Sequence, residues 1–449
     1  MMKIHPRKVL LRSDVLESIT DDDKRYSEKG LETGSYLFGK VYRNLVYDVT
    51  HRIDAGPKAE RGPASFVIDE EYATHKKEEL RAKDSDLRLL ATQHLHPWNG
   101  EPHPSETDLN ALKDASTDRP WYSIMLSTKD GFKFFDLNGE GDGFVEIPHQ
   151  VIPSAIEQEQ IVDRIRLATQ QGLLMEKTAL LVGLGSVGSV VAKYMGNTGI
   201  GRLILVDFEE LESINVVRHE GTIYDIGKPK AEICKRAIEC HNPFTVVEAH
   251  SFDVTQHLSK IQELARQSNL IIGSSGSPKI NRLLNRFSVD NNIPAIYCGI
   301  HEKASGGYVL AVYPKRTACF NCMFSITSQA DRIEREEASR YGIPDEELHA
   351  QQGLWMDISI PALFTAKTAL TMIQDEIPEF NLLLYDSHPK LQGGQLIPVR
   401  AMKIERREDC SVCNFEEWAR KQTEQVESPQ SKQSVFSKAK QWLVKMRAR

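Results

Sequence analysis

The chain has 449 residues, 40% of them hydrophobic and 27% charged, an ordinary globular balance sufficient for about two or three domains. No apolar run approaches the roughly 18 residues a membrane span needs, and a net charge of −7 provides no basic field for nucleic acid. The start, MMKIHPRKVLLRSDVLE, is too briefly apolar for a secretory signal, so a cytoplasmic address is expected.

In chain order, residues 1–150 alternate short strand-like runs (KVLLR, SYLFGKVY, SFVID, YSIMLST, FKFFDL) with a polar, helix-like stretch at 70–91, the pattern of a compact α/β domain. The turn-rich DLNGEGDG closes it, and 151–172, rich in Gln, Ile and Arg, reads as a connecting helix. A second domain, 173–418, carries TALLVGLG, LILVDF, NLIIGSSG and PAIYCGI, apolar runs of the kind found in parallel strands buried on both faces. Repeated strand–helix–strand units predict a doubly wound, Rossmann-like parallel sheet. From 419 to 449 the chain becomes a basic tail, flexible by composition. Its last stretch puts Val435, Ala439, Trp442 and Met446 on one helical face. A terminal helix packing on its own body or fraying is favoured there over docking on a partner or an anionic membrane.

QHLHPWNGEPHPSETD places His94 and His96 two apart, so on a strand both imidazoles leave one face and can share a metal. Asp108 adds a third ligand from the following turn, and three protein ligands leave one tetrahedral position open, as in catalytic zinc sites. Glu32 is the candidate proton carrier, and Ser105 could donate a hydrogen bond to a developing oxyanion. His103 reads as a solvated loop residue, and Trp98 as either a groove wall or a cover for the loop.

GLGSVGS follows an apolar strand, and Gly183, Gly185 and Gly188 allow a tight turn and close backbone approach to phosphate. Asp207 ends the next strand, where a carboxylate accepts ribose hydroxyls; NAD enzymes share this pattern, so it does not separate ATP from NAD. Asn215, Arg218 and Lys230 supply a donor and two cations, which phosphoryl chemistry needs and hydride transfer does not.

Of seven cysteines, four form two CxxC pairs, Cys319/Cys322 and Cys410/Cys413, a strong signal for a closed, structural zinc site. Cys234 and Cys240 read as packing residues. Cys298 would need a nearby cation such as His301 or Lys303 to become a nucleophile; a buried, inert thiol is the favoured reading.

The N-terminal pattern, Glu32 in an ETGS context followed by HxHP and PSxxD, resembles the JAB/MPN-type metalloproteases with their JAMM motif. That resemblance implies an isopeptidase or tail-trimming protease acting after the C-terminal glycine of a ubiquitin-like protein. It also implies one catalytic Zn2+ on His94, His96 and Asp108, with Glu32 as general base and acid and Ser105 assisting the oxyanion. The loop from His96 to Asp108 is one residue longer than the usual form. From about 155 to 415 the glycine loop, NxxR(H) and GKPK resemble the ThiF/MoeB family, which includes the catalytic domains of ubiquitin-activating enzymes.

This second resemblance implies adenylation, with ATP and Mg2+, of the C-terminal glycine of a ubiquitin-like or sulfur-carrier protein. Gly183, Gly185, Gly188, Asp207, Asn215, Arg218 and Lys230 would hold the nucleotide. It implies further a homodimer to which Arg164 or Arg166 is lent across the interface, and the same four-cysteine zinc. Two features depart from the family: Gly276 stands where relatives place a magnesium-binding aspartate, and Met323 to Asp409 contains no thioester cysteine. The expectation is therefore a bifunctional enzyme of a prokaryotic ubiquitin-like or sulfur-carrier pathway, with a conjugating enzyme as a further partner. The alternatives are an active peptidase whose second half only binds the modifier or a nucleotide, and an NAD oxidoreductase.

Overall fold

The computed structural model describes residues 5–156, 160–161, 163, 165, 171–300, 306–323, 354–386 and 399–414. They form two compact units, one built mainly from 1–176 and the other mainly from 177 onward. Arg164, Arg166, His301, Lys303 and the tail from 419 lie outside the described residues. No described helix is long and apolar enough to cross a membrane.

The first unit contains strands β1 (Lys8–Arg12), β2 (Gly34–Val41), β3 (Val46–Asp54), β4 (Glu60–Arg61), β5 (Phe66–Val67), β6 (Arg88–Leu95), β7 (Ser123–Thr128), β8 (Gly131–Leu137), β9 (Phe144–Ile147) and β10 (His149–Ile152). Its longer helices are α1 (Ser13–Ser27), α2 (Glu70–Lys83) and α3 (Glu106–Asp118), with one further turn at Gln171–Leu174. Eight strands form a mixed sheet in the order β10-β1-β3-β2-β6-β7-β8-β9, while β4 and β5 pair as a small ladder. Strand alternation fixes the layers. Val9, Leu11, Tyr47 and Met125 pack with Val15 and Ile19 of α1 on one face. Phe38, Ile53, Ile124 and Leu126 pack with Ala73 of α2 and Leu112 of α3 on the other. A buried fork pair, Arg12 Nε and Nη2 donating to the two oxygens of Asp48 at 2.8 and 2.6 Å, ties β1 to β3.

Three local expectations change. The helix beginning at 70 stops at Lys83, because Arg88–Leu95 forms a central strand pairing with both β2 and β7. The segment expected as a helix from 151 starts instead as the end of β10, parallel to β1. Asp108 lies in the first turn of α3 and not in a preceding turn.

The second unit contains β11 (Thr178–Val182), β12 (Arg202–Val206), β13 (Val246–His250), β14 (Leu270–Gly273), β15 (Ala295–Ile300), β16 (Gly306–Val312), β17 (Leu382–Asp386) and β18 (Val399–Met402). Between them lie α4 (Ser186–Gly196), α5 (Lys230–His241), α6 (Leu258–Arg266), α7 (Pro278–Asn291) and α8 (Trp355–Ile373). The sheet order is β13-β12-β11-β14-β15-β16-β17-β18. The four runs expected as strands are β11, β12, β14 and β15, and β14 is parallel to both β11 and β15. The expectation of a wholly parallel sheet is corrected beyond β15, where β16, β17 and β18 follow antiparallel. Only a short connection joins β15 to β16, so no crossover helix is needed there.

Candidate functional sites

In the first unit, Glu32, His94, His96 and Asp108 converge although sequence separates them widely. Gly34 of β2 pairs opposite His94 of β6, which places Glu32, just before β2, beside that imidazole. His96 follows the end of β6, its backbone N–H donating to Ser127 O at 2.8 Å. The two imidazole rings lie 4.5 Å apart. Asp108 arrives from α3, where PSETD forms a capping box: Ser105 Oγ accepts from the Asp108 N–H at 3.2 Å, and Asp108 Oδ2 accepts from the Ser105 N–H at 2.7 Å.

His94 bridges the two carboxylates, Nδ1 at 2.9 Å from Asp108 Oδ1 and Nε2 at 3.0 Å from Glu32 Oε2. Burial works against its charge, but the Asp108 and Glu32 hydrogen bonds prevail and raise its pKa. Burial also opposes ionisation of Asp108, yet hydrogen bonds from His94 and Ser105 hold its carboxyl down to about 2. His96 differs: burial, aided by the charge of His94, pulls it down to about 4, leaving a neutral imidazole. Its Nε2 is 3.6 Å from Asp108 Oδ2, and its Nδ1 is buried without a hydrogen-bond partner. Ligand atoms of Glu32, His94 and His96 lie within 4.8 Å of one another, a nitrogen–oxygen donor set that fits a divalent ion such as zinc, while Asp108, the carboxylate expected as ligand, stands outside that group on the Nδ1 side of His94.

The remaining expectations at this site resolve unevenly. Ser105 Oγ donates to Asp108 Oδ2 at 2.6 Å, so its hydroxyl is directed at the helix cap. His103 is exposed. Trp98 stacks on His96, with ring centroids 4.2 Å apart. Phe66 packs its ring 4.9 Å from that of His94, a wall that spacing does not reveal because the two residues lie on segments far apart in the chain.

In the second unit, β11 ends in the glycine loop that opens α4. Gly183 has φ +92, and a Cβ there would lie 2.4 Å from Ser275 Cα. A Cβ on Gly188 would lie 1.9 Å from Gly183 O, so the loop folds tightly only with glycine at both places. Gly185 is the helix N-cap. Asp207 lies past β12, Oδ2 accepting the Leu184 N–H at 2.5 Å and Oδ1 the Glu209 N–H at 2.8 Å. Burial raises its pKa against these two bonds.

Asn215 and Arg218 lie on the 3-10 turn Ser213–Arg218, and Lys230, buried at the start of α5, pairs with Glu209. His219, quoted in the sequence only as an appendage of the NxxR segment, links this turn to the glycine loop. Its Nδ1 accepts from Gly221 N–H at 2.9 Å, which leaves the proton on Nε2 to donate to Leu184 O at 2.9 Å. Gly276 has φ +68 with open space around it.

The four CxxC cysteines come together, all buried, with Sγ separations of 3.8 Å (Cys319–Cys322), 3.6 Å (Cys319–Cys410) and 3.5 Å (Cys322–Cys413). Four thiolates at about 2.3 Å from a tetrahedral zinc would be separated by about 3.8 Å, so the donor set fits that ion. Cys298 is buried in β15, and burial pushes its thiol up to about 11, unlike an activated nucleophile. Cys234 is buried as expected, whereas Cys240 is exposed and does not serve packing.

Comparison with known proteins places the second unit. Ubiquitin-like modifier-activating enzyme 5 of Drosophila mojavensis is 27% identical over 203 residues, covering 43% of this chain and 51% of that protein. The same-named protein of Caenorhabditis elegans is 27% identical over 191 residues, covering 40% and 45% respectively. The chain thus spans about half the length of these curated relatives. Among solved structures, E. coli MccB with ATP shares 20% identity at a TM-score of 0.44, covering 55% of this chain and 69% of that one. The ThiF family model matches residues 157–413. Since this match takes in more than half of the chain, the protein belongs to the ThiF family.

Proposed function

We propose that the chain is a two-headed enzyme of a ubiquitin-like or sulfur-carrier pathway: a JAB/MPN-type zinc peptidase joined to an adenylating unit that acts on the same C-terminal glycine. The convergence of Glu32, His94, His96 and Asp108 from separate segments carries the hydrolase half. His94, His96 and Asp108 would hold zinc, which supplies electrophilic polarisation of water and of the scissile carbonyl. Glu32, acidic and buried beside His94, would take the proton of the attacking water and hand it to the leaving amine. A role for Ser105 at the oxyanion requires its hydroxyl to exchange Asp108 for substrate.

The family membership and the activating-enzyme name of the curated relatives support the second half. Gly183, Gly185 and Gly188 would bring backbone N–H groups to the phosphates of ATP, and Asp207 would receive the ribose. Asn215, Arg218 and Lys230 would bind phosphoryl oxygens as a carboxylate attacks and pyrophosphate leaves. The four cysteines would form a structural zinc site. The buried Cys298 thiol disfavours a thioester stage, so a sulfur-carrier route fits better than full conjugation with a conjugating enzyme. Ile214, Val217, Ile223 and Tyr224, between 64% and 83% exposed around Asn215 and Arg218, support a homodimer through this unit.

The test uses the zinc-loaded full chain and a ubiquitin-like protein extended past its terminal glycine pair. Release of the extension, followed by ATP–pyrophosphate exchange that depends on the freed glycine, is expected. No release removes the hydrolase half. Gly276, which lacks any carboxylate for magnesium, favours a second reading in which the ThiF-type unit only binds. ATP binding without exchange would select it.

A further inference from the structure

A cleft of about 410 Å3 opens between α2 and α3 on the sheet face that carries Ile53 and Leu126. Its apolar walls include Phe38, Phe66 and Ala73. Phe66 is also the ring against His94, so one side chain separates this cleft from the imidazole–carboxylate cluster. That ring is seated by Gly34, where a Cβ would lie 2.3 Å from it.

The polar groups of the cleft divide into two sets. At its floor the hydroxyls of Thr92 and Tyr122 pair with each other, and Tyr36 Oη donates to Glu70 Oε1 at 2.6 Å. These groups satisfy one another. Lys77 and Arg119 also line the cleft, and neither lies within salt-bridge distance of a carboxylate among the described residues. Partial burial, with the neighbouring charges of Arg81 and Arg119, pulls the Lys77 pKa down against the opposing pull of the Glu70 and Glu78 carboxylates. Two cations over an apolar recess, with the Glu70 carboxylate turned to a phenol, make a binding place for one carboxylate on an apolar stem.

We propose that this cleft is a specificity pocket for a glutamate or aspartate side chain of the polypeptide whose backbone passes the Glu32–His94–His96–Asp108 cluster. The assignment rests on the hydrolase reading for the identity of the occupant. Lys77 and Arg119 would bind the carboxylate, and Phe66 would pack on its stem while holding the next stretch of chain against His94.

The test measures fluorescence anisotropy with the zinc-loaded, full-length Glu32→Gln protein and two labelled hexapeptides, Leu-Glu-Leu-Glu-Gly-Gly and Leu-Lys-Leu-Lys-Gly-Gly. The glutamate peptide is expected to bind about tenfold tighter or more, as a charge-assisted hydrogen bond predicts. Lys77→Glu with Arg119→Glu should reverse the preference, and Lys77→Gln with Arg119→Gln should abolish it, while thermal melts show both variants folded. Equal affinities, no binding of either peptide, or a preference that survives the charge reversal overturns the pocket. The two readings fail separately. Wild-type cleavage of the extended modifier without a peptide preference leaves the hydrolase and removes the pocket; a charge-dependent preference in a protein that cleaves nothing does the reverse.

Discussion

The molecule holds two clusters of metal-ready side chains, built on opposite plans. The four cysteines offer one kind of donor, arranged as two short turns with sulfur separations of 3.5 to 3.8 Å, close to the edge length of a tetrahedral four-thiolate zinc site. The N-terminal cluster mixes imidazole and carboxylate, and its groups are engaged with one another through protons. Four thiolates around one zinc would leave no position for substrate, which suits the structural role proposed for them. A cluster whose acids and bases already share protons has what acid–base chemistry requires, so donor type and shared protons distinguish the two clusters where burial does not.

The sharpest way to break this comparison is to remove one sulfur. Cys410→Ser should cost the protein one equivalent of zinc by atomic absorption and lower the melting temperature of the second unit by roughly 10 °C or more. An unchanged melt would strip the cage of its structural role. Glu32→Gln should retain metal while lowering cleavage by about 100- to 10,000-fold, the range of a lost acid–base group. Full activity would take Glu32 out of the reaction. Arg218→Ala should lower pyrophosphate exchange by about 100-fold, measured with labelled pyrophosphate, if that cation meets the transition state as proposed.

The smallest effect concerns stability. Asp225 accepts hydrogen bonds from Thr222 N and from Arg236 and Lys228, which hold its carboxyl well below the usual range. A depressed carboxyl stabilises the fold fully above its unfolded pKa of about 3.9, and that contribution fades as pH falls toward the folded value. Asp225→Asn should therefore flatten the acid limb of a pH–stability curve and leave cleavage at neutral pH unchanged.

How much of this could be read from the sequence follows from what kind of information each feature uses. KVLLR and TALLV were legible as strands because continuous burial leaves continuous apolarity. Helix α1 was not: SDVLESITDDDKRYS is so acidic that its apolar stripe, Val15 and Ile19, is hard to see without the sheet it covers. The stretch around Arg88–Leu95 has helix-forming residues, yet β2 and β7 claim it from both sides, a tertiary choice that overrides local preference. The cysteine pairs and the His94–His96 pair were legible as candidate ligands by spacing and residue type. Their linkages were not, because Phe66 against His94 and His219 beneath Leu184 exist only after chain segments far apart have met.

The capping box of α3 has one more consequence. Asp108 uses one oxygen to fasten the helix's first turn and the other to face His94, so a single carboxylate serves as both hinge pin and grip. Any loosening of that turn, by Ser105→Ala for instance, should be felt at the imidazole as altered exchange of its ring proton, and ion loading should in turn protect the leading amides of α3 from deuterium.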